Sequence, residues 1–355
     1  MSTHKDFAII LAWPDATIRG DEKWMMFFKK IGIVKNLNFK VGHTGIIIVN
    51  STTGEILFYD FGRYITPRGY GRARSKNSDP LLNINLKAKI KNNEIANIDK
   101  IIDICEKMKP FMYGEGKLFF SIVKGIDFQL AQQYGDACVE EGTYPYGALA
   151  KNNNNCSRFI TRMLRISHPR YSWHHCINLP ETIKSSPVSN LVNAVEDRMI
   201  FSFCTQEGIK KFKMNRFQSL WFLIKQLGEN VKRKKAELLP DDKIIGAMNY
   251  NSKPITVPKD AVYLGGVGDG AWYSVNAHDS DHYIIKRFTS HGILEYVVIG
   301  KPEKQFDINQ KWTITYDSHL LFTHIIQNNE KIKIIHSKQL PNDKYAFEDI
   351  KERYA

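Results

Sequence analysis

A cysteine stands between a run of asparagines and an amphipathic segment in NNNNCSRFITRML, residues 152–164. The apolar residues after Cys156 recur with the three- and four-residue spacing of a helix. Asparagine is a strong N-cap, so Asn154 or Asn155 is expected to begin this helix, with Cys156 in its first turn. Unpaired backbone N–H groups and the helix dipole there favour a thiolate and can stabilise an oxyanion. The pattern predicts a nucleophilic thiol, and the alternative is a buried structural cysteine.

A histidine that could activate this thiol opens the apolar run of KVGHTGIIIV. A turn-like STTGE and a second β-type run follow, which predicts a β-hairpin over residues 43–62. Gly42 and Gly45 flank His43, and their small size is expected to let another group approach the imidazole closely. The alternative is a strand-end histidine that hydrogen-bonds a loop.

A carboxylate lies on the second strand of this hairpin, within an apolar and aromatic stretch where its burial requires a partner. In the expected pairing Asp60 lies across the ladder close to His43, where it would orient the imidazole. A one-residue slip would turn Asp60 to the opposite face, with Arg63 or Arg68 as its partner. Glu55 also qualifies by type, but it belongs to the turn.

The order of these residues resembles that of the circularly permuted papain-like hydrolases, which include the lecithin–retinol acyltransferase-like proteins and bacterial peptidase and amidase relatives. Ordinary papain-like chains place Cys before His, whereas here His43 precedes Cys156 by 113 positions. NCSRF at 155–159 resembles the Asn-Cys-x-x-Phe element of the acyltransferase-like branch, and VGHTGIIIV resembles the strand that carries the family's histidine. AIILAWPD and FGRYITPRGYGRARS also resemble a bacterial family that is connected with this permuted fold.

The resemblance implies an α+β fold in which an antiparallel sheet packs against helices. It implies a cysteine-dependent peptidase or amidase, or an acyltransferase, that works through a thioester acyl-enzyme. His43 would deprotonate Cys156, and Asp60 would fix the imidazole tautomer. The substrate would be an amide or ester: a peptide, a cell-wall fragment or a lipid acyl group. The rival hypothesis is a catalytically inactive binding or scaffold protein that keeps the fold.

Further residues are candidates for lining a substrate cleft. Asn155 precedes the thiol, Tyr144 and Tyr146 lie in TYPYGA before the asparagines, and Trp173 and His174 follow the predicted helix. Packing in the core is the alternative role for both tyrosines. The sequence has no P-loop or dinucleotide fingerprint, so no cofactor is expected, and no metal site is expected.

The length of 355 residues and a change in the apolar pattern from about residue 255 predict two domains. Residues 1–205 are expected to form the permuted papain-like hydrolase domain, and residues 206–254 a basic helical linker. In residues 255–355, short alternating apolar runs are separated by turn residues. This pattern predicts an all-β domain, either a small barrel or a sandwich.

The net charge of +13 has a local source, because positions 210–235 hold nine Lys and Arg residues against Glu229 alone. The apolar middle of this stretch, FQSLWFLIKQLGENV, predicts a helix. Such a basic amphipathic helix can bind an anionic membrane surface, nucleic acid or an acidic partner. A solvated linker helix is the alternative, and without a nucleic-acid motif no specific nucleic acid binding is expected.

The spacing of the cysteines and the length of the apolar runs indicate the cellular compartment in which the chain is expected. Five cysteines at irregular spacing favour a reducing compartment over a disulfide framework. The apolar run from Phe7 to Trp13 is too short for a signal peptide, and no run approaches the length of a transmembrane segment. The chain is therefore expected to be cytoplasmic and unanchored.

Overall fold

A computed structural model describes residues 4–20, 22–147, 154–168, 186–229, 231–239 and 252–342. It has the α+β class that the sequence predicts. The chain divides into two compact units. The first comprises the described residues of Met1–Gly62, Ala73–Ser75 and Leu82–Lys243, and the second those of Arg63–Arg72, Lys76–Leu81 and Ile244–Ala355.

The first unit is built on an eight-stranded sheet. In chain order, the strands up to residue 213 are β1 Asp6–Trp13, β2 Thr17–Arg19, β3 Asn38–Lys40, β4 His43–Val49, β5 Ile56–Gly62, β6 Tyr70–Arg74, β7 Ile90–Lys91, β8 Glu94–Ile95, β9 Leu118–Ile126, β10 Thr143–Pro145, β11 Met199–Cys204 and β12 Gly208–Lys213. The large sheet has the order β10-β6-β5-β4-β1-β9-β11-β12, while β2 pairs with β3 and β7 with β8. From β5 to β12 the neighbouring strands are antiparallel.

Helices cover both faces of this sheet. They are α1 Lys23–Lys30, α2 Ile98–Lys107, α3 Phe128–Glu141, α4 Cys156–Ser167, α5 Pro187–Asn193, α6 Arg216–Glu229 and α7 Arg233–Ala236, with a 3-10 turn at Pro80–Leu82. None of the helices in the described part of the chain is long and apolar enough to cross a membrane.

Two hydrophobic cores lie on opposite faces of the sheet, which explains why β1 (DFAIILAW) is continuously apolar rather than alternating. Ala8, Ile10 and Ala12 of β1 face a core that contains Phe159 and Met163 of α4. The odd-numbered residues of β1 face a second core, to which α2 contributes. The first core therefore fixes α4, and with it Cys156, against one face of the sheet.

The hairpin and the helix that the sequence predicts are both confirmed. β4 and β5 pair antiparallel with Gly45 opposite Asp60, so the slipped register does not occur. Helix α4 begins at Cys156, and Asn155 is its N-cap. Local turn and capping signals were enough to define both elements.

The second unit contains one seven-stranded antiparallel sheet. Its strands are β13 Val262–Gly265, β14 Gly270–Ala277, β15 Tyr283–Thr289, β16 Leu294–Pro302, β17 Trp312–Ile314, β18 Phe322–Gln327 and β19 Glu330–Leu340. The order is β13-β14-β15-β16-β19-β18-β17, and the edge strands β13 and β17 also contact each other. A single sheet whose edges meet is a near-barrel, so the sandwich alternative is wrong.

A buried ionic network lies within the second unit. Arg72 donates two hydrogen bonds to Asp79, at 2.7 and 2.6 Å. Arg287 of β15 lies 3.4 Å from the same carboxylate and makes an ion pair at 2.6 Å with Glu295 of β16, without the alignment of a hydrogen bond. Burial raises the pKa of Glu295 to about 7, although Arg287 opposes the shift. These contacts explain why segments 63–72 and 76–81 belong to the unit that contains the later strands.

Replacing Asp79 with Asn is expected to destabilise the second unit. The substitution keeps the shape but leaves Arg72 and Arg287 as buried cations without their shared carboxylate, which costs about 3–5 kcal/mol. Urea denaturation, read through hydrogen exchange of β15 and β16, measures the loss. Asp279→Asn is the matched control, because Asp279 is an exposed carboxylate whose pair with His282 should not affect unfolding measurably. Equal unfolding curves for the two variants would contradict the role of the network.

Candidate functional site

The hairpin brings His43 and Asp60 together. Gly45 pairs with Asp60, and His43 is two residues before Gly45 in β4. The side chains of His43 and Asp60 therefore lie on the same face of the sheet, diagonally across the ladder. The His43 Nε2 atom is 3.4 Å from the Asp60 Oδ2 atom, and both side chains are buried. The sequence-predicted proximity of these two residues is confirmed.

A second partner of Asp60 was not predicted. Arg74 of β6, on the side of β5 opposite β4, donates two hydrogen bonds to the Asp60 carboxylate, from Nε to Oδ1 at 3.0 Å and from Nη2 to Oδ2 at 2.6 Å. The Arg74 guanidinium also lies over the Tyr113 ring, 4.9 Å from its centroid. Sequence reasoning named Arg63 or Arg68 as the alternative partner, and only under a slipped register. Asp60 instead contacts the histidine and an arginine in the unslipped register.

Trp13 is a further site residue that sequence reasoning missed. It is the cross-strand partner of His43, and the two rings stack with centroids 6.2 Å apart and planes at 11°. The indole is fully buried, and Gly114 lies so close that a Cβ there would be 2.6 Å from the Trp13 Cε2 atom. Trp13 thus excludes water from one face of the imidazole, which strengthens the polar interactions beside it.

The glycines beside His43 do not open space for a ligand, contrary to the expectation from sequence. Gly42 has φ +80°, and a Cβ there would lie 2.9 Å from the Pro14 Cα atom. At Gly45 a Cβ would meet the Phe58 ring at 2.6 Å. Both glycines therefore serve close packing and backbone conformation.

Helix α4 places the thiol. The Asn155 side chain accepts a hydrogen bond from the Arg158 amide at 2.8 Å, which defines the first turn. Cys156 follows the cap directly, and its side chain is near enough to His43 to contribute to the raised pKa of the imidazole. The amides of Cys156 and Ser157 have no acceptor within the helix, since the first N–H groups of any α-helix lack one.

Helix α5 holds this first turn in place. The Asn190 amide donates to the Ser157 carbonyl at 2.8 Å, and the Thr161 hydroxyl donates to the Asn190 side-chain oxygen at 3.1 Å. All three side chains are buried. Buried, satisfied polar networks of this kind fix a single geometry, so the Cys156 sulfur is attached to a rigid part of the unit.

The electrostatics of the site favour a charged imidazole. Burial, the largest contribution, lowers the pKa of His43, but the hydrogen bond to the Asp60 carboxylate, the neighbouring Cys156 sulfur and the electrostatic effects of both groups together outweigh it. The net effect raises the pKa of His43 to about 9. Burial would raise the pKa of Asp60, yet the Arg74 charge and the bonds from His43 and Arg74 hold it below its ordinary value. The arrangement suits an imidazolium between a carboxylate and a sulfur.

The other residues considered from sequence are the predicted cleft residues and Glu55. Tyr146 is buried and stacks on Phe61, and Tyr144 packs against the same core, so core packing is their observed role and a place in a cleft stays a prediction. Trp173 and His174 lie outside the described residues. Glu55 directly precedes β5 at the turn end of the hairpin, about 20 Å along the strands from His43.

The site contains groups for nucleophilic acyl chemistry, and each group has a physical reason for its place. A thiol, an imidazole and a carboxylate follow one another through contacts, and a helix N-terminus lies at the sulfur. Among the described residues, no group of three or more His, Cys, Asp or Glu side chains is arranged to hold a metal ion. Cys156, His43 and Asp60 have the residue types that a Cys–His–Asp triad requires, and their catalytic role stays a prediction.

Comparisons with known proteins match two separate ranges of the sequence. Residues 8–173 match the family model described as type VI secretion system effector TseH-like, a span just under half of the chain that includes His43, Asp60 and Cys156. Residues 261–337 match the model of the DUF6695 C-terminal domain. A solved structure, the crystal structure of the type VI secretion system effector TseH, aligns with a TM-score of 0.42 and 16% identity, over 59% of this chain and 99% of its own. No curated protein matches the chain.

The substitution Asp60→Asn is expected to lower the pKa of His43 from about 9 toward or below its ordinary value. Burial, which lowers this pKa, would persist, whereas the carboxylate that raises it would be lost. In the wild type the raised pKa stabilises the folded state fully below about pH 6.5, and this contribution is lost as the pH rises through about 9.

An NMR titration of the His43 ring, assigned with His43→Gln, measures this change. Asp136→Asn is the control, because Asp136 accepts a hydrogen bond from Tyr59 rather than from His43. An unchanged His43 titration in folded Asp60→Asn would show that Asp60 does not control the imidazole.

Proposed function

We propose that this chain is a cysteine hydrolase that cleaves amides or esters through a thioester acyl-enzyme. Cys156 is the nucleophile, His43 the acid and base, and Asp60 the group that orients His43. The observation that carries the proposal is the placement of His43 between Asp60, 3.4 Å from its Nε2 atom, and Cys156 at the start of α4, where the pKa of the imidazole is raised to about 9. Such a histidine is protonated at neutral pH, which is the state needed beside a thiolate.

In the resting site the Cys156 thiol proton is already on His43, so that the two groups form a thiolate–imidazolium pair. The thiolate forms a C–S bond to the substrate carbonyl, whose oxygen becomes an oxyanion that the amides of Cys156 and Ser157 stabilise. The tetrahedral intermediate collapses with loss of the amine or alcohol, and His43 donates the proton that this leaving group takes. Water then attacks the thioester, with His43 as base, and releases the acid and the thiol.

Arg74 acts in this scheme as a positioning residue. Its two bonds to Asp60 fix the carboxylate and keep it ionised, so that Asp60 can accept the hydrogen bond of His43 Nε2. The other ring nitrogen of His43 is then directed to the sulfur. Asp60 therefore contacts both His43 and Arg74, so orienting the imidazole and pairing with an arginine are not exclusive roles.

Two features support the cellular role and the fold assignment in this proposal. The chain order His43, Asp60, Cys156 is that of a permuted papain-like site, as the sequence resemblance implies. The match of residues 8–173 to a type VI secretion system effector family supports an effector hydrolase. An effector acts after secretion, so its place of action would differ from the cytoplasm expected from the sequence. Peptides, cell-wall amides and lipid acyl groups are the substrate classes to screen.

Alkylation provides a test that needs no substrate. At pH 6.5, iodoacetamide is expected to label Cys156 at least about tenfold faster than Cys204, because a histidine-paired thiolate persists where an ordinary thiol is protonated. Exposure alone predicts the opposite order, since Cys156 is buried and Cys204 is only half-buried. Mass spectrometry measures both rates in one sample, and His43→Gln should remove the preference. Faster labelling of Cys204 in the wild type would contradict the pair and favour an inactive scaffold.

Turnover provides the second test, once a screen has identified a cleaved substrate. Cys156→Ala should abolish turnover, and Cys204→Ala should not change it. Asp60→Asn should lower kcat by about 10²–10⁴, as loss of an orienting carboxylate does, and should also lower the melting temperature because Arg74 loses its partner.

Arg74→Lys distinguishes charge from geometry. Lysine keeps the positive charge but cannot make the two parallel hydrogen bonds of a guanidinium, so kcat should fall by about 10-fold or more with little change in KM.

Wild-type kcat in a folded Asp60→Asn variant would remove Asp60 from the mechanism and leave a Cys156–His43 dyad.

A further inference from the structure

Helix α6 carries an apolar stripe on its exposed side. Phe217, Trp221 and Ile224 recur at the four- and three-residue spacing of one helical face, and their exposed fractions are 75, 61 and 48%. On its inward side Ser219 is buried, with its hydroxyl donating to the Arg216 carbonyl, and Leu220, Phe222 and Leu223 are half-buried. A surface helix normally confines its apolar residues to the face that meets the core, whereas α6 also carries large apolar side chains on its exposed face.

The residues around this stripe are strongly basic. Between positions 207 and 239 the sequence has nine basic and three acidic residues, a net charge of +6. The three acidic residues are taken up by ion pairs of Lys210 with Glu207, Lys235 with Glu229 and Arg233 with Glu237. The excess charge therefore lies on the other basic residues of the segment, which are Lys211, Lys213, Arg216, Lys225, Lys232 and Lys234.

A second helix of similar chemistry lies in the same part of the first unit. Helix α1 contains Lys23, Lys29 and Lys30 and no acidic residue, and it exposes Phe27 and Met26. Met25 and Phe28 of α1 pack on a small core that includes Phe39 of β3, and α6 also contacts β3. Two neighbouring helices that expose aromatic side chains among lysines indicate a surface rather than an isolated side chain.

We infer that the exposed face of α6, with α1 beside it, binds the surface of an anionic lipid bilayer. The apolar stripe would enter the boundary between headgroups and acyl chains, and the flanking lysines would contact anionic headgroups. Trp221 suits this boundary because indole is enriched there, and lysine stems reach the headgroups while covering apolar surface. A nucleic acid presents mainly phosphates and base edges, which give the apolar Ile224 side chain no apolar phase to enter, so a bilayer is favoured over a nucleic acid. The inference is independent of the chemistry at Cys156.

Vesicle binding tests the inference with the full-length chain. Vesicles of phosphatidylcholine with phosphatidylglycerol should bind at least about tenfold more tightly than phosphatidylcholine alone, given the excess lysines. Raising the salt from 0.1 to 1 M shortens the Debye length from about 10 to about 3 Å and should weaken binding. The Cys156→Ala protein should bind equally, which separates binding from any lipid hydrolysis.

Paired variants locate the contact. Trp221→Phe should keep vesicle co-sedimentation but remove the blue shift of tryptophan fluorescence, whereas Trp221→Ser and Phe217→Ser should each weaken binding about tenfold or more. Lys232→Gln with Lys234→Gln should reduce the preference for anionic lipid. Ile293→Ser in the second unit is the control, because Ile293 is a large apolar residue exposed at 50%, close to the 48% of Ile224, but has no part in the stripe.

Three outcomes would overturn the inference. The wild type would show no preference for anionic vesicles, or Phe217→Ser and Trp221→Ser would bind as tightly as Ile293→Ser. Alternatively, light scattering would show a dimer that Phe217→Ser converts to a monomer, which would mean that a second copy of the chain covers this face.

Discussion

The burial of the Asp60 carboxylate is the constraint that organises the first unit. A charged group without solvent costs several kcal/mol unless opposite charges and hydrogen bonds compensate it. Asp60 has no exposed surface, so the fold must supply those groups at fixed positions. Arg74 contributes two bonds from β6, and His43 contributes one from β4. The strand order β6-β5-β4 meets this requirement because it places one donor on either side of Asp60.

The same compensation extends to the sulfur. In the proposed mechanism, charges alternate along the series Arg74, Asp60, His43 and Cys156, so a buried site holds four charges with no net charge. Each charge is stabilised by its neighbour, which is why the pKa of His43 rises despite burial. Trp13 keeps water from the imidazole face, and the low dielectric makes each of these interactions stronger. The stability of the site and its reactivity therefore have one electrostatic origin.

The parts of this site that could be predicted from sequence are those with local signals. The hairpin follows from two β-type runs around a turn, and Asn155 marks the helix start, so His43, Asp60 and Cys156 each had a predictable position. Arg74 had none, because its role depends on β6 lying beside β5, and strand order is a nonlocal property. The glycines beside His43 suggested ligand access, but an absent Cβ serves close packing equally well.

The buried contacts of segments 63–72 and 76–81 also could not be predicted from the local sequence. The arginines and glycines of segment 63–72 have the composition of a solvated loop, yet Arg72 is buried and bonded to Asp79 of segment 76–81 within the second unit. Nothing local to the sequence distinguishes an arginine that will be buried from one that will be solvated, because Arg72 meets Asp79, and Asp79 meets the Arg287–Glu295 pair, only in the folded unit. The all-β domain could be predicted from alternation and the α+β class from the family resemblance, whereas the ionic network could not.

The buried and exposed charges of the first unit follow opposite rules. Around Asp60 every cation has a nearby anion, because an uncompensated charge in the interior would prevent folding. Along α6 and its flanks, cations outnumber anions, and Phe217 and Trp221 are in solvent. Folding gains nothing from this second arrangement, since exposed apolar groups and mutually repelling lysines both oppose stability. The free energy that would compensate it must come from a surface outside the chain, and an anionic bilayer supplies both the apolar phase and the negative charge that α6 lacks.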